Sequence, residues 1–70
     1  MRYFIFFYKV VTSTGHYFGQ HGNAGELLPS NKHVTEMIVK HASQPLEAGQ
    51  INITGFNEVT EEDYNNWFGI

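Results

Sequence analysis

The chain has no cysteine among its 70 residues. Disulfides, thiolate metal sites and a cysteine nucleophile are therefore excluded. Basic residues are few: four Lys plus Arg stand against seven Asp plus Glu, for a formal charge of −3. A mainly electrostatic nucleic-acid binder needs a basic patch, and this composition argues against one. The acidic surplus is also too small for a solvating acidic tail. No stretch approaches the ~20 apolar residues of a membrane-spanning helix. Arg2 and the apolar run Tyr3–Tyr8 start like a signal peptide, but Lys9 interrupts the run and no small-residue cleavage site follows. A cytoplasmic protein without membrane association is the expectation.

What is present is aromatic. Six Phe, four Tyr and one Trp offer large buried area per residue. A single domain over residues 1–70 has a marginal core for reasons of size alone. Without disulfides, aromatic packing or self-association must supply the balance.

Residues 2–12 (RYFIFFYKVVT) are β-branched and aromatic almost throughout, which predicts a strand. Phe4, Phe6, Tyr8 and Val10 fall on one face, and Tyr3, Ile5, Phe7 and Val11 on the other. A strand apolar on both faces belongs in the middle of a sheet. Ser13-Thr14-Gly15 reads as a hairpin turn. A return strand is expected over His16–Gln20, ended by Gly19, Gly22 and Gly25, with residues 19–25 a flexible loop. Ser30 is an N-cap candidate for a helix over 30–43 whose stripe is Val34, Met37, Ile38, His41 and Ala42. Pro45 ends it. Residues 50–59 read as a third strand, with Gly55 marking a bulge after which Phe56 changes face. Thr60 caps a last helix with Glu61, Glu62 and Asp63 in its first turn, a Val59–Tyr64 staple, and Gly69 just past its end.

These elements assemble as a small α+β domain in the order β-β-α-β-α. The three-stranded antiparallel or mixed sheet has strand order 2-1-3, with the helices packed on one face. On that arrangement the face of Tyr3, Ile5, Phe7 and Val11 stays open, an apolar patch larger than monomers usually tolerate. These four residues are the candidate interaction site.

Other constellations are weaker. His16, His21 and Glu26 recur every fifth position, and two histidines with a carboxylate suit zinc. Odd spacing along a strand sends them to opposite faces, however, so a metal or small-ligand site in the 16–26 loop is the third reading. His33 and His41 do not converge on one helix. Gly19, Gly22 and Gly25 are spaced like a phosphate-cradling loop but lack a nearby Lys or Arg and an immediate helix. No serine has a nucleophile context, and the acids at 58 and 61–63 read as a helix N-terminus. Neither an enzyme nor a cofactor is expected. Single-stranded nucleic-acid binding through the sheet aromatics, with Arg2, Tyr3 and Lys9, is the second reading, disfavoured by charge.

Phe6–Gly19 (FFYKVVTSTGHYFG) and Ile53–Trp67 (ITGFNEVTEEDYNNW) resemble short proteins of prophages and conjugative elements of gut bacteria. That family has no assigned activity, so the resemblance transfers no site residue. It implies a bacterial, cytoplasmic, accessory role. The leading expectation is a non-enzymatic interaction module that forms a homodimer or binds a protein partner.

Overall fold

The computed structural model describes residues 1–70. Its order is β1 (Arg2–Thr12), β2 (Gly15–Gly25), α1 (Asn31–His41), β3 (Ile51–Val59) and α2 (Glu61–Phe68), with a 3-10 turn at Ala48–Gln50 before β3. The sheet order is β2-β1-β3, and β1 is antiparallel to both neighbours. The expected α+β class and strand order are what is found. No helix is long and apolar enough to cross a membrane.

Local chemistry explains each element. Thr12 pairs with Gly15 across a two-residue turn. Gly15 has φ 146°, a conformation that favours glycine. The Thr12 hydroxyl donates to the Gly15 carbonyl at 3.0 Å. Ser30 Oγ accepts from the His33 N–H at 3.1 Å, and Thr60 Oγ1 accepts from the Asp63 N–H at 3.1 Å. Both satisfy helix N–H groups that have no partner within the helix. Gly69 closes α2 with φ 69°.

Phe4, Phe6, Val10, Val34, Ile38 and Ile51 form the core between the sheet and α1. Tyr8, Val39, Leu46 and Ile53 pack around it. The core is thin: seven of 70 residues are buried. The accessible surface is 4841 Å², above the roughly 4,450 Å² that size scaling gives for a monomer of this mass.

Two expectations need correction. First, β2 does not stop at Gln20. It pairs with β1 without interruption from Gly15 to Gly25, so residues 19–25 are strand, not loop. The glycines serve packing. A Cβ at Gly19 would lie 2.5 Å from Tyr8 Cζ, and a Cβ at Gly22 would lie 2.6 Å from both Phe68 Cε2 and the Tyr64 hydroxyl oxygen. Each glycine is a socket for aromatic rings, one on each face of the sheet.

Second, the helices lie on opposite faces, not on one. α1 covers the Phe4, Phe6 and Val10 side. α2 covers the other: Tyr64 meets Tyr3 at 5.2 Å between ring centroids, and Trp67 meets Phe7 at 6.1 Å. The cause is a bulge in β3. Ile53 pairs with Tyr8 and Gly55 with Phe7, so Thr54 is an extra residue between them. One added residue reverses the side-chain alternation. Phe56 consequently joins Ile51 and Ile53 on the α1 face, where its ring sits 5.5 Å from Phe6 and 6.3 Å from Phe4. Val59, opposite Tyr3, leaves the strand on the other face and takes α2 there.

Candidate interaction face

The four residues singled out for the open face do not share one environment. Ile5 is buried, Tyr3 and Phe7 are half-buried, and Val11 is 45 % exposed. α2 covers the first three, so Tyr3, Ile5 and Phe7 are not the bare patch expected. The bulge that brings α2 over them is weakly signalled in sequence, because Gly55 marks its neighbourhood without saying which helix it redirects.

The cover is incomplete. α2 has eight residues, about 12 Å of helix at 1.5 Å per residue, whereas β1 has eleven residues in extended form. Tyr64 and Phe68 lean toward β2, where Gly22 receives them. On the opposite flank a groove of about 430 Å³ runs between α2 and β3. Ile5, Phe7, Val59 and Trp67 make its apolar surface, and Asn57, Asp63 and Asn66 its polar rim. Trp67 stands edge-on to Phe7, their planes 85° apart, with 53 % of its surface exposed. By spacing, Tyr64, Trp67 and Phe68 form one apolar stripe along the helix, a pattern that does not reveal the exposure of Trp67.

The one charged residue that lines the groove is acidic, Asp63, while Lys9 lies further along β1 on the face of Ile5 and Phe7. Residues 51–70 contain Glu58, Glu61, Glu62 and Asp63 and no Lys, Arg or His. Glu58 is engaged elsewhere: Arg2 Nη2 and Nε donate to its two carboxylate oxygens at 2.9 and 3.1 Å. That hydrogen bond holds the Glu58 carboxyl below its ordinary value and raises the Arg2 guanidinium. Glu61, Glu62 and Asp63 remain in the first turn of α2, and Asp63 reaches the groove.

A second cavity, about 370 Å³, lies on the α1 face between β2 and the end of α1. Tyr8, Tyr17, His21, His41 and Gln44 line it with Ile38 and Leu46. Burial lowers the His21 pKa, and the neighbouring His41 and His33 lower it further. This grouping across two elements is invisible to spacing along the chain. The 16–26 histidine set is not brought together: His16 pairs with Val11 and His21 with Phe6, on opposite faces. His16 rests against Phe18 at 5.6 Å. No three of the histidines and carboxylates converge as a metal-ion site. Among the sheet aromatics, Phe4 and Phe6 are buried under α1, whereas Tyr17, Phe18 and Phe56 are exposed.

No family model, curated protein or solved structure matches the chain.

Proposed function

We propose that this chain is a non-enzymatic protein-interaction module. Its α2–β3 groove binds a basic segment of a partner that carries a large apolar anchor residue. The observation that carries the reading is Trp67: half-exposed, edge-on to Phe7, at the mouth of an apolar groove. Tryptophan beside a pocket is the residue type that most often dominates binding energy at protein interfaces. Asp63 at the groove, with Glu61 and Glu62 in the same first turn of α2, selects for Lys or Arg next to the anchor and against acidic partners. The resemblance to mobile-element proteins fits an accessory role of this kind in a bacterial cell.

Trp67 is the single tryptophan, so its emission reports the groove directly. The probe is a synthetic Lys/Arg-rich peptide with a central Leu or Phe, compared with an acidic peptide around the same anchor. Saturable blue-shifted emission with the basic peptide, weakening as salt rises and absent with the acidic one, is expected. Asp63→Lys should remove the preference. Equal response to both peptides, or none at low salt, overturns the reading.

A further inference from the structure

We infer that β2 is a self-association edge: two copies join antiparallel through Gly15–Gly25 into one six-stranded sheet. The proposal stands on a different surface from the groove, since Trp67 lies toward β3 and Phe68 and Tyr64 lie toward β2.

Edge strands expose a row of unpaired N–H and C=O groups, and monomers protect them with charge, proline or bulges. The two edges of this sheet differ in that respect. β3 has the Thr54 bulge and Glu58. β2 has none of these devices: GHYFGQHGNAG contains no Asp, Glu, Lys, Arg or Pro, and its register with β1 is unbroken over eleven pairs. In a chain of net charge −3, β2 is the stretch where two copies meet with least repulsion.

Side-chain exposure points to a strand as the occupant. Tyr17 and Phe18 are adjacent and therefore on opposite faces, yet they are 41 % and 67 % exposed. A ligand lying on one face covers one of them. A strand added at the edge brings neighbours to both. Symmetry favours a second copy. Antiparallel pairing of β2 with itself is related by a two-fold axis through the sheet, which keeps each side chain on its own face. Residues of like parity then meet. Phe18 shares the α2 face with Gly22, whose socket holds Phe68. In the paired sheet Phe18 approaches the same face of the partner's strand, and Tyr17 does so on the α1 face.

The test combines light scattering and amide hydrogen exchange on the full chain, from low micromolar to millimolar concentration. Mass should rise to twice the monomer. Alternate amides of β2, those pointing away from β1, should gain protection with concentration while the outer amides of β3 do not. Phe18→Lys places a charge at an exposed position and should weaken association about tenfold or more with the fold intact by circular dichroism. Trp67→Ala should leave association unchanged, which separates this proposal from the groove reading. A monomer throughout the range, a dimer that protects β3 instead, or a dimer indifferent to Phe18→Lys overturns it. Concentration-independent protection of the β2 edge by a co-purifying foreign chain does so as well.

Discussion

The Thr54 hydroxyl donates to the Phe7 carbonyl at 3.1 Å, across the point where the β1–β3 register shifts by one residue. The extra residue of β3 thus supplies a hydrogen bond to β1, the strand whose pairing it interrupts. On one side of it Ile51 and Ile53 face α1; on the other Phe56 faces α1 and Val59 faces α2. With Thr54 bulged out, the residues before and after it keep regular pairing with β1.

Deleting Thr54 should therefore remove the bulge without moving either helix. Ile53 then joins Gly55 directly, and the residues on both sides keep their β1 partners, with Phe56 on the α1 face and Val59 on the α2 face. We expect the Tyr3–Tyr64 and Phe7–Trp67 contacts to survive, seen as retained near-ultraviolet circular dichroism and ring-current shifts. Thr54→Val keeps the residue count and loses only the hydrogen bond. Its cost should be about 1 kcal/mol in denaturant unfolding. Loss of the α2 contacts on deletion would contradict the assignment of Thr54 as the extra residue.

Gly22→Ala tests the socket under α2. The added Cβ would lie 2.6 Å from Phe68 Cε2 and from the Tyr64 hydroxyl oxygen, so rings or helix must move. A loss of about 1–3 kcal/mol is expected. Gly25→Ala is the comparison, because its Cβ meets only Asn23 Oδ1 at 3.9 Å. Equal effects of the two substitutions would show that general strand flexibility matters, not the socket.

Phe6 is the centre of the aromatic core, 1 % exposed and within 6.4 Å of Phe4 and 5.5 Å of Phe56. Phe6→Ala should cost about 3–5 kcal/mol. With seven buried residues in the whole chain, that is enough to leave the variant largely unfolded at room temperature. Thermal unfolding followed by far-ultraviolet circular dichroism reads the outcome. A cooperative transition near the parent midpoint would contradict the assignment of the core.

His21 makes stability depend on pH in a definite direction. Its pKa in the folded chain is lowered, by burial first and then by His41 and His33. Below the ordinary histidine value of about 6.5 the unfolded chain binds the proton more readily, so stability falls as pH drops toward the lowered folded value. Above the ordinary value the two states are equally deprotonated and the effect vanishes. His21→Gln should flatten the profile between mildly acidic and neutral pH. Lys32 and Lys40 on α1 add positive charge on the same helix as His33 and His41, and Glu36 opposes them; none lines the His21 cavity. A profile unchanged by His21→Gln would assign the slope to other groups.

Much of the chain was determined locally. The run Tyr3–Val11 can be stable only as a strand covered on both sides, because both of its alternating faces are apolar. Ser30, Thr60 and Gly69 sit where unpaired helix ends need them. Strand order 2-1-3 follows from putting that doubly apolar strand in the middle. Which helix covers which face was a tertiary decision. It turns on whether Thr54 is bulged out or paired, and an alternation of period two cannot reveal its own interruption except through the packing on either side. The same holds for Gly19 and Gly22. Spacing alone reads them as a loop, and only the arrival of Tyr8 on one face and of Tyr64 and Phe68 on the other makes a missing side chain the stable choice within a strand. Likewise Trp67 is core-like by its place on the helical stripe. It is left half in solvent because α2 leans toward the Gly22 socket and away from β3. The residues carry the local preferences; the sheet, by bringing distant segments into register, decides which of those preferences are buried and which remain available to a partner.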